Sequence, residues 1–298
     1  MQEKVKYNSS TEIRPKRHIG WAMSTPFFLV HVVALVAPFY VPFSWSLVLL
    51  CFASYYLRMF GVTAGYHRYF AHRTYKLNRF WQFCMAFLAE TSAQKGVLWW
   101  AGHHRHHHKF SDQGEDLHSP KQDGFWCAHV GWFLAKEHHA TDENAIRDFA
   151  KYPELRLLDK HYIMPAIIYA ALFLLIGGLP ALVWGFFVST VLCWHGTFTI
   201  NSLSHVFGSQ RYKSNDTSRN NFLLAIVTMG EGWHNNHHTY MTSTNQGFYW
   251  WEWDPTYYIL KVLSWVGITH DLRRAPVELL DGKRIVPEAA LIHTLENT

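Results

Sequence analysis

The segment GHHRHHHKF at residues 102–110 carries five histidines in nine residues, with Arg105 among them. It lies deep inside the chain, where a purification tag would not be, so its spacing has to say what it is. On an α-helix successive residues turn by about 100°, and positions i, i+3 and i+4 share one face. His104, His107 and His108 have that spacing; His103 sits to one side and His106 points away from His104. EGWHNNHH repeats the pattern at His234, His237 and His238. A three-histidine face occurring twice is the signature of metal ligation rather than of a solvated basic loop.

Two pairs extend the set. His67 and His72, in YHRYFAHR, are spaced i, i+5, which fits no face of a regular helix, so a bent or frayed helix end is needed to bring them together. Asn201 and His205, in NSLSH, share a face at i, i+4. Polar and ionisable groups near a membrane edge are costly and read as functional. Nine imidazoles are too many for one ion, whereas two ions with four or five nitrogens each would use them all. All-imidazole ligation without cysteine suits zinc, copper, iron or nickel. The spacing alone leaves a hydrolase, a transporter and an oxygen-activating iron enzyme open.

The elements that must position these residues follow from the charges. His18–Leu57 contains no Asp, Glu, Lys or Arg, and neither does His161–Gln210. A spanning helix needs about 20 apolar residues, so each run holds two helices and a short turn. APFYVP, at 37–42, divides the first run into spans over about 22–38 and 43–64, and GGLP, at 177–180, divides the second into about 162–176 and 181–203. Lys4, Lys6, Arg14, Lys16 and Arg17 precede the first span. The positive-inside rule then puts the N-terminus, residues 66–160 and residues 205–298 in the cytosol. The expectation is an all-α integral membrane protein: four transmembrane helices in two hairpins (22–64 and 162–203) under a cytosolic helical cap. The whole chain, 1–298, reads as one domain, with no internal repeat or linker. A mean hydropathy of −0.09 hides this segregation. Cys51, Cys84, Cys127 and Cys193 are scattered, two of them in apolar spans, so a reducing interior fits better than disulfides. The N-terminus has no secretory cleavage pattern. A net charge of +5 suits anionic lipid headgroups or an acidic partner, and no nucleic-acid motif accompanies it.

HRYFAHRTY, HRHHHKFSD, NSLSH and GEGWHNNHH resemble, in sequence and in order, the histidine boxes of the membrane-bound fatty acyl desaturases, in particular the Δ9, stearoyl-CoA 9-desaturase-like branch. HVGW at 129–132 matches as well, and the resemblance covers about residues 25–250. It implies a di-iron centre that uses O2 to remove two hydrogens from adjacent methylenes, leaving a cis double bond. It also implies the ligands: His67, His72, His104, His107, His108, His205, His234, His237 and His238, with Asn201 holding one iron through water. Trp100 and Thr197 would line the bend of the acyl chain. An unactivated CH2–CH2 offers no polar handle, so a metal must supply the chemistry and the protein must hold the chain in register.

Asp112, Glu115, Asp116, Glu231 and Asp254 are candidates to orient the imidazoles through their other ring nitrogens. The chain departs from animal members in reading DLH, ending at His118, where they read DPH, and its 137–160 segment is only loosely similar. Arg68, Arg73, Lys109 and Lys121 flank the boxes and could grip a phosphate or form a basic membrane collar. No GxGxxG motif for flavin or NAD and no HPGG haem motif is present. Electrons are therefore expected from a separate ferredoxin, rubredoxin or cytochrome b5 with its NAD(P)H reductase, docking on the cytosolic side. A short unfused chain suits a bacterial inner membrane, or the endoplasmic reticulum in a eukaryote. The rivals are a fatty-acid or alkane hydroxylase on the same boxes and a histidine-lined metal transporter or storage protein. The acyl carrier is left open between CoA, a glycerolipid and a carrier protein.

Overall fold

Helix α1 (Trp21–Val36) carries none of the four charged residue types, and a 3-10 turn, Ala37–Tyr40, ends it at Pro38. These positions come from a computed structural model that describes residues 17–280. Lys4, Lys6, Arg14 and Lys16, which orient the chain above, lie outside the described residues. Helix α2 (Trp45–Phe60) restarts where Ser44 accepts the Leu47 N–H at 3.4 Å, a side-chain cap on an otherwise unsatisfied donor.

Helix α2 does not end near residue 64 as the sequence predicts. It runs on as a π-helix over Gly61–Ala71. In a π-helix each N–H bonds the carbonyl five residues back, and the His72 N–H bonds His67 O at 3.1 Å. The i, i+5 spacing that fits no α-helical face is a single face here. His67 and His72 meet, ring centroids 4.8 Å apart, without any fraying.

The second apolar run forms α5 (Met164–Ala181), a π-helical stretch Leu182–Val188, α6 (Ser189–Ser202) and a 3-10 turn Leu203–His205. Gly178 interrupts it with φ +63° and ψ −160°, a backbone conformation that a residue without Cβ takes freely. The Phe173 ring lies 2.6 Å from where a Cβ on Gly185 would stand. A straight helix would hold positions 173 and 185 about 18 Å apart, so the chain folds back at GGLP. Among the described residues, three stretches are long and apolar enough to cross a membrane: Trp21–Tyr40, Trp45–Ala71 and Met164–His205. Their outer faces show side chains such as Leu35, Leu175 and Ile176, which favour lipid over water.

Both α1 and α2 pack on Leu182–Val188, and α2 also packs on α6. Arg58, wholly buried in α2, joins them: it donates to Thr190 Oγ1 at 2.6 Å, to Ser189 Oγ and to Phe186 O. Two-residue strands, Lys76–Leu77 and Thr269–His270, pair antiparallel. They are a small departure from an all-α fold.

Helix α3 (Arg79–Glu90) leads to α4 (Val97–Phe110), which carries the segment 102–110. Carboxylates hold the start of α4. Glu90 Oε1 accepts the Val97 N–H at 2.9 Å, and Asp159 Oδ1 accepts those of Leu98 and Trp99 at 2.9 and 3.0 Å. Glu90 is fully buried, its Oε2 has no partner, and burial pushes its carboxyl up to about 9. The folded protein therefore keeps a proton that the unfolded chain releases, and stability should fall as pH rises from about 5 to 9. Glu90→Gln retains the acceptor for Val97 and removes the ionisation. Its melting temperature should vary less over that window than the wild type's.

Candidate metal centre

The nine predicted histidines gather into two groups, His67, His72, His104, His108 and His237 in one, and His107, His205, His234 and His238 in the other. Within each group the ring nitrogens lie within 4.8 Å of one another. Each triplet divides between them. His104 and His108 of α4 join the first group and His107 the second. In α7 (His234–Thr239), His237 joins the first group and His234 and His238 the second. His103 and His106 stay outside, His103 bonding Trp99 O at 2.9 Å and His106 bonding Glu115 O at 2.9 Å.

The Nε2 atoms converge: His67 to His237 at 3.1 Å, His237 to His108 at 2.9 Å, His72 to His104 at 2.9 Å, and His205 to His234 at 3.0 Å. Two nitrogens each about 2.1 Å from one ion, at a right angle, would stand about 3.0 Å apart. Carboxylates on the far sides of four of the nine rings turn those rings' lone pairs inward. His67 Nδ1 is 2.6 Å from Glu231 Oε2, His107 Nδ1 2.8 Å from Asp116 Oδ1, His238 Nδ1 2.6 Å from Asp216 Oδ2, and His205 Nδ1 3.5 Å from Asp112 Oδ2. A neutral imidazole that donates Nδ1–H to a carboxylate keeps a bare lone pair on Nε2. His238 Nε2 is buried with no hydrogen-bond partner. That orphaned donor set fits a metal ion.

The electrostatics agree. Burial, then the crowd of neighbouring imidazoles, holds His72, His104, His108, His234 and His237 well below the usual histidine range. Burial outweighs the Asp216 bond and brings His238 to about 4. Burial works to raise Asp112, Asp116 and Asp216, but the bonds from His205, His107 and His238 win and keep all three well below the carboxylate range. Neutral rings and ionised carboxylates are the states that metal ligation requires.

An apolar cavity of about 530 Å³ reaches this centre; Phe27, Trp99, Trp132, Phe187, Trp194 and Phe198 are among its walls. A smaller pocket of about 30 Å³ lies against His67 and Glu231, and Trp100, His104, Thr197 and Asn201 line both. Trp100 is fixed by stacking on Tyr66 and His104, with centroids 5.3 and 4.8 Å away. Thr197 Oγ1 accepts from Gln94 Nε2 at 3.0 Å.

Residues 43–263 match the family model for fatty acid desaturases. The chain belongs to that family. It is 37% identical over 249 residues to an acyl-CoA C20 Δ5-desaturase of Anemone leveillei, covering 82% of this chain and 78% of that protein. It is 35% identical over 278 residues to the sn-1 stearoyl-lipid 9-desaturase of a Synechocystis species, covering 91% and 85%. To the sn-2 palmitoyl-lipid 9-desaturase of a Nostoc species it is 32% identical over 273 residues, covering 89% and 95%. The protein is an acyl desaturase, an oxidoreductase acting on acyl chains in a membrane context.

In this desaturase several second-line candidates move. Glu115 is exposed and meets the histidines only through its carbonyl. Asp254 faces no imidazole: both its oxygens take Arg68 Nη1 at 2.9 Å. Arg68 is fully buried between Asp254 and Glu231, so it grips no phosphate or headgroup. Gly230, φ +117°, makes room for them, since a Cβ there would stand 2.4 Å from Asp254 Oδ1. Arg73 pairs with Asp148 at 3.3 Å, and Lys109 and Lys121 are exposed. His118 stacks on His107 at 4.2 Å and is buried. Asp216 was not foreseen, and neither was Gln246, whose Nε2 lies 3.3 and 3.4 Å from Nδ1 of His67 and His237. Neither has a helical spacing to a box that would reveal it. Asp216→Ala should weaken metal binding by the four-histidine group about 10- to 100-fold, as read by competition with a calibrated chelator.

Proposed function

We propose that this desaturase uses two iron ions, one in each histidine group, and places a cis double bond at the Δ9 position of a saturated acyl chain. The nine histidines named above would be the ligands, and Asn201 would hold a water beside one ion. The observation that carries the reading is the division into five and four imidazoles at the head of an apolar cavity. Bound iron would supply the oxygen activation that an unactivated methylene pair demands. The balance is simple: the acyl chain gives up two hydrogens, an external donor gives two electrons, two protons are taken up, and O2 leaves as two waters.

The chain's own residues have narrower tasks. The four carboxylates hold their imidazoles in one tautomer, with the lone pair turned inward. The aromatic walls exclude water and confine a flexible methylene chain, since positioning is the protein's only hold on regiochemistry. Trp100 and Thr197 would set the bend where the cavity meets the five-histidine group. We read the whole of 1–298 as one domain with four membrane crossings, a reading supported by the fold-back at Gly178. The positive-inside pattern supports a cytosolic centre, reduced by a separate ferredoxin, rubredoxin or cytochrome b5.

Mass spectrometry of derivatised fatty acids from a host expressing the chain tests this reading. A new cis monoene at the 9,10 position is expected, accompanied by two irons per purified chain. A monoene at another position would correct the regiochemistry. Hydroxylated lipid in its place would overturn desaturation in favour of oxygenation.

A further inference from the structure

The desaturase reading leaves open how the acyl chain reaches the cavity, and what it is attached to. Most of the cavity's wall residues are buried or half-buried, but a few line the cavity and face outward at once. Met23 of α1 is 49% exposed, Ile163 46% and Ile167 of α5 52%. Pro26, on the same side of the cavity as Met23, is exposed too. A residue that both lines a cavity and meets the surroundings stands at its rim. These rim residues come from the first turns of α1 and from the start of α5, two of the stretches apolar enough to cross a membrane. The opposite end is formed by Trp100, His104, Thr197 and Asn201, against the five-histidine group.

Few charges line the cavity itself. Among the described residues, Lys95 is the only Lys or Arg on the wall, and no Asp or Glu lines it. Its Nζ lies over the Tyr162 and Trp99 rings, 5.6 and 6.0 Å from their centroids, and Tyr162 immediately precedes Ile163 of the rim. A coenzyme A moiety brings several phosphate charges, which proteins meet with clusters of arginine and lysine. None of Arg68, Arg73, Lys109 and Lys121 reaches the wall. One cation beside an apolar opening suits the ester and single phosphodiester of a glycerolipid, whose acyl chain already lies in the bilayer.

We infer that the substrate is a membrane-resident glycerolipid whose acyl chain slides in sideways between α1 and the start of α5, past Met23 and Ile167, with its polar end beside Lys95. This rests on the desaturase reading for the chemistry, but the route stands on the cavity alone. A rim so placed lets a chain pass from bilayer to centre without crossing water. Transfer of its methylenes into the cavity then exchanges one apolar environment for another.

The test reconstitutes the full chain, loaded with iron, in phosphatidylcholine vesicles containing a phosphatidylcholine with a photoreactive diazirine on its stearoyl chain. After illumination, peptide mapping should find adducts at Met23, Ile163 or Ile167 and, deeper, at Trp100. Unlabelled glycerolipid should compete and stearoyl-CoA should not. Ile167→Trp, and independently Met23→Trp from the opposite rim, should abolish the deep adduct while iron content and melting temperature stay at wild-type values. Deep adducts formed only from a diazirine stearoyl-CoA, or only from the free acid, would overturn the glycerolipid assignment. Deep glycerolipid adducts unaffected by both tryptophan variants would overturn the route. Rim and cavity adducts without double-bond formation in any lipid, with an electron donor supplied, would sink the desaturase reading and leave the route standing. Double bonds formed in glycerolipid without rim adducts would do the reverse.

Discussion

His238→Ala should end double-bond formation, with activity falling more than about 100-fold, the upper end of what losing a mere supporting residue costs. His238 offers the four-histidine group its Nε2, which is buried without a partner and is aimed by the 2.6 Å contact from Nδ1 to Asp216. Alanine removes that nitrogen and takes from Asp216 Oδ2 the ring it faces, while Asp216 Oδ1 keeps its bonds from Ser214 and Ser218. Three imidazoles would remain in that group, while the five around His237 are untouched. The expected iron content therefore drops from two per chain toward one, and the melting temperature changes far less than the activity. Elemental analysis beside fatty-acid analysis of the same preparation reads both. His106→Ala is the matched control from the opening segment: its ring meets Glu115 O and Phe110 and belongs to neither histidine group, so iron and product should both stay at wild-type levels. Full iron and full activity in His238→Ala would remove this residue from the ligand set.

Arg68→Met should damage folding before it damages chemistry. The guanidinium is fully buried, with Nε 3.0 Å from Glu231 Oε1, Nη1 2.9 Å from both Asp254 oxygens and 2.7 Å from Thr244 O. Methionine fills much of the same volume but leaves two buried carboxylates without a counter-charge, at a cost of about 3–5 kcal/mol. Against a total stability of about 5–15 kcal/mol, that is enough to deplete the folded protein. The damage also reaches the centre. Glu231 orients His67, and Asp254 caps α8 (Pro255–Trp265) by accepting the Tyr257 N–H at 3.0 Å. Arg68→Lys should rescue little, because a single ammonium cannot span both carboxylates as the planar fork does. Thermal melting of detergent-solubilised protein by fluorescence-detected size exclusion separates these cases. A wild-type melting profile for Arg68→Met would show that the buried network contributes no net stability.

The two effects differ in how legible they were. The ligand types and the two i, i+3, i+4 triplets can be read from the chain because helical periodicity is local, repeating within a few residues. The apolar runs and their breaks at Pro38 and GGLP are local in the same way. The role of Arg68 was not legible, because a basic residue beside a box looks alike whether it faces lipid headgroups or two buried carboxylates. Its partners Glu231 and Asp254 lie 163 and 186 residues away along the chain.

By itself, then, the sequence determined which histidines stand together as candidate ligands, how they cluster on helix faces, and that apolar helices carry them. Only the tertiary structure decided that each triplet serves both histidine groups, that a π-helix turns His67 and His72 to one face, and that Asp216 and Gln246 support the rings. It alone also decided that the cavity opens beside Met23 and Ile167. The physical reason is range. A face or an apolar run is set by neighbours a few residues apart, whereas a shared ion site or a cavity rim is set by contacts such as that of Gln246 with His67, 179 residues apart, which no local spacing encodes.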